Sequence, residues 1–217
     1  MSLPLLTKKI ISNWYAFMNC SVLSCLKFVK SEGINYKQQR WNSKNELMDI
    51  FNHRLPKALE KYIGELSLND QFKVYARSGS SGLWSDLLYV AFLDKKLSHS
   101  INGYSPSFGI YPIIMVSPDC QNIYLMYMVA IGAKTAKELE SNVLSVRDLL
   151  KIDGLATDVD KLNFGKDVKN YKLATVCYTE LDVDNYKSDL EILIELKRYF
   201  KIHEDFKKTG FRFNYRV

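Results

Sequence analysis

The residues of this sequence whose spacing suggests catalysis are carboxylates that precede a lysine by two positions. Such D/E-x-K triplets include 94–96, 167–169 and 195–197, and Pro118-Asp119 follows an apolar run. In nucleases of the PD…(D/E)-x-K type, paired carboxylates hold a metal ion that activates water for phosphodiester hydrolysis. None of the three triplets has the short strand-to-strand spacing from Pro118-Asp119 that this site needs. A metal-dependent nuclease is therefore an alternative that the sequence leaves open without favouring it.

Motifs of other enzyme classes are missing. The run SGSSG at 78–82 has neither the lysine nor the spacing of a phosphate-binding P-loop. The sequence contains no G-x-S-x-G nucleophile elbow and no H-E-x-x-H zinc motif. We therefore predict that the protein is not an enzyme.

The cysteines and histidines give no sign of a metal site. They are Cys20, Cys25, Cys120, Cys177, His53, His99 and His203. No C-x-x-C pair is present and the histidines are far apart, whereas structural zinc sites use closely spaced ligand pairs. We predict no metal, no cofactor, and reduced thiols in a cytoplasmic protein.

Positive charge is concentrated in the N-terminal third. The formal net charge is +6. Residues 1–80 contain 12 Lys/Arg and 6 Asp/Glu, whereas the other 137 residues contain 18 of each. Because phosphates neutralised by cations release counterions, this asymmetry makes a polyanion a candidate partner.

Two helices are predicted in this basic third. Apolar residues recur at helical spacing from Ile10, which predicts a helix that ends near Gly33. Polar interruptions make this run unsuitable for a membrane span, so no membrane contact is expected. A second helix is predicted from Ser43 to Gly64, with Ser43 and Glu46 as a capping box. Pro56 is expected to kink or divide it.

The middle of the chain changes to the two-residue period of strands. Short runs rich in β-branched and aromatic residues, separated by turn residues, predict strands at 71–77, 87–93, 109–116 and 122–130. The turn at 117–122 joins the last two as a hairpin, and the nearly continuous apolar character of 123–130 predicts a central strand covered on both faces. The remaining predicted elements are a helix at 135–150, a strand at 171–178 and a helix from about Asp184. The fold class is α+β, with a small antiparallel or mixed central sheet flanked by helices.

Two segments carry a resemblance to a known family. They are SGLWSDLLYVAFLDKK at 81–96 and FGIYPIIMVSPDCQNIYLMYMVAIGAK at 108–134. They resemble the N-terminal DNA-recognition domain of McrB-type modification-dependent restriction enzymes, in which a W-x-A-F-L-like strand precedes G-x-Y-x-V-x-L and a Y-L-x-L-like hairpin partner. Residues 171–178 and 189–199 look like the family's closing strand and its helix.

The resemblance implies one DNA-recognition domain over 1–217. Its helical N-terminal part spans about 1–64 and its family-like core about 65–205. In that family an AAA+ GTPase motor follows in the same chain and a separate nuclease subunit cuts the DNA. Because this sequence ends at Val217 without a motor, we expect an excised domain or a stand-alone relative.

The resemblance also implies a function, namely duplex DNA binding in which a modified base such as 5-methylcytosine is flipped into an aromatic pocket. Carried over by position, the pocket residues fall on Tyr89, Tyr111 and Met115. A flipped base loses its stacking and regains it in such a slot. Positions 111 and 115 share one strand face, which agrees with this assignment.

The sequence departs from the family pattern at the residue that fills the gap left by a flipped base. Ser81 stands where a family member has a wedge tyrosine, so Trp84 or Leu83 in the same loop is the candidate wedge. Tyr89 also replaces a more usual tryptophan. The recognised base therefore stays open among 5-methylcytosine, 5-hydroxymethylcytosine, N4-methylcytosine and N6-methyladenine.

Phosphate contacts are expected from cations and hydroxyls around the loops. These candidates are Lys73, Arg77, Ser78, Ser80, Ser85, Lys95 and Lys96. A different class of function also remains open, in which the domain docks a motor or nuclease partner without reading DNA.

Overall fold

The computed structural model describes residues 21–38, 45–80, 83–100, 103–132, 134–150, 152–164 and 168–213. The predicted first helix lies partly, and Ser43, Ser81 and Asp167 lie entirely, outside the described residues. Within them the structure is α+β, as predicted, with helices on both sides of one main sheet.

The helices and strands alternate in blocks along the chain. The helices are α1 (Val22–Gln38), α2 (Glu46–Asp49), a π-helical turn (Ile50–Arg54), α3 (Leu55–Glu65), α4 (Ala136–Leu149), a 3₁₀ turn (Val159–Lys161), α5 (Lys169–Leu173) and α6 (Asp189–Lys208). The strands are β1 (Phe72–Ser80), β2 (Leu83–Asp94), β3 (His99–Ser100), β4 (Gly103–Tyr104), β5 (Ile110–Val116), β6 (Ile123–Val129) and β7 (Thr175–Glu180).

The main sheet has five strands in the order β1-β2-β5-β6-β7, and every neighbouring pair is antiparallel. The predicted hairpin is confirmed, because residues 117–122 turn the chain from β5 into β6. All seven residues of β6 are buried and the strand lies between β5 and β7, which confirms a strand covered on both faces, although β5 and not β6 is the middle strand of the five. The strands β3 and β4 form a separate small hairpin that the sequence did not predict.

One face of the sheet, called here the closed face, is covered by the long helices. Its side chains include Phe92, Ile114 and Tyr127, which belong to one apolar cluster with residues of α1, α3 and α6. Helix α6 begins at a capping box formed by Ser188 and Glu191, which satisfies the free N–H groups of its first turn.

The opposite face, called here the open face, is covered by shorter segments. Alternate residues of β2, β5 and β6 point to it and form a second apolar cluster with Leu139, Leu162 and Phe164. This cover comes from one residue of α4, the segment after the 3₁₀ turn and the region around α5. Because these segments are short, part of the open face is left uncovered.

The end of the first helix differs from the prediction. Helix α1 continues through Gly33 to Gln38. A Cβ atom at Gly33 would lie 2.8 Å from the Cys120 sulfur, so the glycine serves close packing against the β5–β6 turn. A glycine used for close approach carries the same sequence signal as one that ends a helix.

The second helical region is divided, as Pro56 predicted, and its cap differs. Asn45 caps α2, with its side chain accepting a hydrogen bond from the Leu47 N–H at 2.9 Å. The π-helical turn follows and α3 begins with Pro56 in its first turn. A proline is tolerated there because the first N–H groups of a helix lack intrahelical acceptors.

Two strand boundaries also differ from the prediction. The first half of 171–178 belongs to α5, and β7 begins only at Thr175. Strand β2 begins at Leu83 rather than Leu87, so Leu83, Trp84 and Ser85 belong to a strand and not to a loop. Pairing with Gly79 and Ser80 beyond a bulge in β1 extends the hairpin, and strand pairing of this kind is not visible in a local pattern.

None of the described helices is both long enough and apolar enough to cross a membrane.

Candidate nucleic-acid interface

A cleft of about 400 Å³ opens on the uncovered part of the open face. It is lined by Arg77, Tyr89, Pro106, Ser107, Tyr111, Ile113, Met128, Ile131, Gly132, Val168, Lys169, Asn170 and Tyr171. Its size falls in the range of small-ligand sites, roughly 300–1,000 Å³. The floor is the sheet itself, and the rim consists of the loops before β5 and after β6 and the first turn of α5.

Tyr89 and Arg77 form one wall of the cleft. They are direct partners in the β1–β2 register, which places both on the open face. The Arg77 guanidinium lies beside the Tyr89 hydroxyl and interacts with it electrostatically. Burial raises the pKa of Tyr89, so its phenol is neutral over the physiological range. The Tyr75 ring lies 6.3 Å from the Tyr89 ring, centroid to centroid, and supports it from the outer side.

Tyr111 forms the opposite wall. It is 5% exposed, and its hydroxyl donates to the Pro106 carbonyl at 2.6 Å. This bond ties strand β5 to the rim loop. Met128 is its register partner on β6 and also lines the cleft. The ring of Tyr111 is thus held in one orientation by its strand and by a hydrogen bond at its tip.

Two rim loops meet in very close contact. Gly132 has a φ of +46°, and a Cβ atom there would lie 2.7 Å from the Ser107 carbonyl oxygen. Any larger residue at 132 would therefore push these two parts of the rim apart. Lys134, which follows in the same loop, donates to the Ala130 carbonyl at 2.8 Å.

The cleft has a cationic rim. Arg77 and Lys169 contribute positive charge, Asn170 contributes an amide, and no carboxylate occurs among the described residues of the lining. Such a lining favours ligands that carry hydrogen-bond acceptors or negative charge next to an aromatic body.

Of the three residues that the resemblance assigned to the pocket, Tyr89 and Tyr111 lie together in the cleft. Met115 does not reach its lining. The Met115 side chain is fully buried between Tyr89 on β2 and Tyr124 on β6, beneath the cleft wall.

The candidate wedge residues lie at the turn end of the β1–β2 hairpin. Leu83 and Trp84 are the first residues of β2, paired with Ser80 and Gly79. Ser85 follows them in the strand and is partly buried. This places all of them at the end of the hairpin that is nearer to Arg77 and Tyr89 than to Asp94.

The candidate phosphate contacts are spread over two regions. Arg77 is in the cleft wall, whereas Ser78 is buried and its hydroxyl donates to the Asn52 side chain at 2.9 Å. Lys73 is half exposed and lies 3.9 Å from the Glu60 carboxylate. Because Ser78 is buried, its hydroxyl forms its hydrogen bond inside the protein.

Lys95 and Lys96 lie at the far end of the hairpin, directly after β2. The Lys95 ammonium donates to the Asn69 carbonyl at 2.7 Å, and the Lys96 side chain is exposed. At about 3.4 Å per residue, Lys95 is roughly 20 Å from Tyr89 along the strand. These cations are therefore remote from the cleft.

The carboxylates of the nuclease alternative have other partners. Asp94 is buried on the closed face, 3.0 Å from His203 Nε2 and 3.6 Å from the Lys207 ammonium. Asp119 accepts hydrogen bonds from the Ser117 hydroxyl and the Gln121 N–H at 2.5 and 3.0 Å. Among the residues that the structure describes, no group of three His, Cys, Asp or Glu side chains is placed to hold a metal ion.

Many of the residues that line the cleft could not be predicted from the sequence. The rim residues of 106–107, 131–132 and 168–171 come from three segments that the chain brings together only through the sheet order. The one local signal was the aromatic Tyr171, which the sequence pattern placed in a strand. Met128 and Ile113 were predicted as sheet residues, but the cleft that they line depends on tertiary packing.

Comparison with known proteins gives one match. The family model described as MrcB-like, N-terminal domain, matches residues 32–208, which span most of the chain and all of the described cleft. No curated protein and no solved structure matches the sequence.

Proposed function

Since the chain belongs to the MrcB-like N-terminal domain family, which points to a DNA-binding specificity module, we propose that it recognises a modified base flipped out of duplex DNA. The base enters the cleft between Tyr89 and Tyr111. The observation that carries this proposal is an uncovered aromatic cleft with a cationic rim inside the matched region.

The aromatic walls supply the energy that a flipped base loses. Unstacking a base costs a few kcal/mol, and contact with an aromatic ring returns about 1–3 kcal/mol per base. Tyr111 is held by a hydrogen bond at its hydroxyl, and Tyr89 is buried beside the Tyr75 ring, so little side-chain entropy remains to be lost on binding. The cleft is in this sense organised before the base arrives.

The rim supplies donors at the entrance. Arg77 and Lys169 are placed to meet the phosphates beside the flipped nucleotide, and Asn170 offers both a donor and an acceptor to the edge of a base. Trp84 and Leu83, at the turn end of the hairpin, are the candidates to fill the gap left in the duplex. Met115 acts beneath the wall by holding Tyr89 in place.

The assignment of partners follows from the same proposal. This chain contributes recognition, and the family resemblance implies an AAA+ GTPase motor and a nuclease subunit that contribute translocation and cleavage.

The test is a titration of matched duplexes that differ at one base. The duplexes carry cytosine, 5-methylcytosine, 5-hydroxymethylcytosine, N4-methylcytosine, adenine or N6-methyladenine at the same position. We expect tighter binding of one modified duplex than of its plain counterpart. With about 3 to 5 neutralised phosphates, log K should fall with log salt at a slope near −3 to −5 for every duplex. Equal binding of all six duplexes contradicts base recognition, and the absence of binding at low salt contradicts DNA recognition altogether.

A further inference from the structure

A second cleft, of about 640 Å³, follows the outer edge of strand β1. It is lined by Asn52, His53, Pro56, Lys57, Glu60, Lys73, Val74, Tyr75 and Ala76. Residues 73–76 are consecutive in β1, so the cleft runs along the edge of this strand. The π-helical turn and α3 form its other side. This edge-strand cleft is separate from the aromatic cleft on the open face.

The π-helical turn shapes the edge-strand cleft. Such turns carry an extra residue relative to an α-helix and occur often at functional sites. Here the turn presents Asn52 and His53 at the cleft, and Asn52 is fixed because it accepts the hydrogen bond from the buried Ser78 hydroxyl. Helix α3 then begins at Leu55, and its side that carries Lys57 faces the strand.

The charge of this cleft favours an anion. Lys57 and Lys73 are exposed, His53 adds a donor, and Glu60 is the single carboxylate among the described lining residues. Glu60 lies 3.9 Å from Lys73, with both side chains about half exposed. An exposed pair at this distance contributes little, about 0–1 kcal/mol, so a phosphate can replace Glu60 as the partner of Lys73.

Tyr75 connects the two clefts. It lines the edge-strand cleft, and its ring also lies against Tyr89 in the wall of the aromatic cleft. Lys73, Tyr75 and Arg77 alternate along β1 and therefore point to the same side. With about 3.4 Å per residue, Lys73 is roughly 14 Å from Arg77. The three side chains form a continuous track from one cleft to the other.

We propose that the edge-strand cleft holds the sugar-phosphate backbone of the DNA strand beside the flipped nucleotide. The proposal rests on the DNA-binding function proposed above and adds a second site to it. Because one strand of a duplex advances about 3.4 Å per nucleotide along the helix axis, the contact falls about four nucleotides from the flipped base if that axis runs parallel to β1. Lys57 and Lys73 bind the phosphates, Tyr75 packs against the sugar, and Glu60 competes with the DNA for Lys73.

The test compares Lys57→Ala/Lys73→Ala with Lys61→Ala on three duplexes. Lys61 is on the same helix, is 78% exposed and lies outside the cleft, so Lys61→Ala controls for the loss of one exposed positive charge. One duplex has long flanks on both sides of the modified base that binds most tightly. In the others, the left or the right flank is cut to about three base pairs, fewer than the about four that the spacing requires.

On the long duplex we expect the double variant to make the salt slope shallower by about two units, one for each lysine that meets a phosphate. The same variant should bind like the wild type on one of the two shortened duplexes. Glu60→Gln should strengthen binding of the long duplex by up to about fivefold, because Lys73 loses its competing partner.

The edge-strand site is overturned if the double variant matches Lys61→Ala on the long duplex, or if its effect persists on both shortened duplexes. It is also overturned if an acidic peptide binds the cleft and DNA does not displace it, since an edge strand can instead pair with a peptide. If the double variant has a shallower salt slope while the wild type binds plain and modified duplexes equally, the result supports the edge-strand site and contradicts the base pocket. The two proposals therefore fail separately.

Discussion

The two faces of the central sheet are built from the same strands but differ in how they are covered. On the closed face, long helices bury aliphatic and aromatic side chains together with a network of buried polar groups. On the open face, the same strands present Tyr89, Tyr111 and Met128, and the short covering segments leave a cleft. Side chains alternate between the two faces of each strand, so the two faces of one sheet can differ in role. Here one face stabilises the fold and the other lines a cleft.

The polar network of the closed face joins strand β2 to helix α6. His203 lies between Asp94 and the Tyr127 hydroxyl, at 3.0 Å and 3.1 Å from its two ring nitrogens. Asp94 also accepts from the Lys96 N–H at 2.7 Å. A buried carboxylate with this many donors is strongly coupled to its partners, so removing one member leaves the others unsatisfied.

The largest effect is expected from Asp94→Ala. Breaking a buried charged pair typically costs 3–5 kcal/mol, and we expect a loss of about that size in the free energy of unfolding, measured by urea denaturation. The control is Asp205→Ala, which removes an exposed partner of Lys201 and should cost less than about 1 kcal/mol. Equal effects of the two variants would show that the closed-face network does not stabilise the fold.

The same network predicts how stability depends on pH. Burial alone would raise the pKa of Asp94, but hydrogen bonds from His203 and the Lys96 N–H lower it to about 2. A carboxyl with a lowered pKa in the folded state stabilises the protein above the ordinary value of 3.8 and loses this contribution as the pH falls towards 2. We expect denaturation curves of the wild type, but not of Asp94→Asn, to show this Asp94 contribution, about 2 kcal/mol, disappearing between pH 4 and 2. Parallel pH profiles of the two proteins would contradict the role of Asp94.

On the open face, Tyr111→Ala should abolish selective recognition in addition to the stability that truncation of a buried residue costs. Loss of a stacking partner worth about 1–3 kcal/mol would reduce selective affinity about 5- to 150-fold while salt-dependent binding survives. Met115→Ala is the matched comparison, because Met115 is fully buried beneath the cleft and its truncation should lower stability by about 2–5 kcal/mol. Melting temperatures and titrations of both variants separate the two roles. If Tyr111→Ala lowers stability as much as Met115→Ala and loses all binding, Tyr111 is a core residue.

The smallest effect is expected at the far end of the hairpin. Lys96 is exposed after β2, about 24 Å from Tyr89 at about 3.4 Å per residue. Lys96→Ala should weaken modified and plain duplexes equally and make the salt slope shallower by about one unit if the lysine meets a phosphate. A change in selectivity with an unchanged salt slope would place Lys96 in recognition instead.

The sequence predicted those parts of the fold that depend on local pattern. The β5–β6 hairpin, the buried strand β6 and helix α4 each follow from periodicity or turn residues in the local sequence. Gly33 misled the helix prediction because a packing glycine and a terminating glycine look alike in sequence. The start of β2 was missed because it depends on pairing across a bulge.

The candidate site was predictable only in part, for a related reason. Tyr89 and Tyr111 were assigned through the family resemblance, and the structure brings them to one cleft. The rim contributed by Pro106, Gly132 and Asn170 depends on three distant loops that meet across the sheet. The burial of Met115 depends on how far the cover of the open face extends, which a strand pattern does not contain.

The central claim, that the open face holds a flipped base, is tested most directly by base fluorescence. A 2-aminopurine next to the modified base is quenched by stacking in the duplex, and flipping of its neighbour removes that stacking. We predict that the wild type brightens 2-aminopurine in the modified duplex that it binds most tightly and leaves the plain duplex dark, whereas Tyr111→Ala brightens neither. Saturated binding of the modified duplex without any brightening would contradict the account.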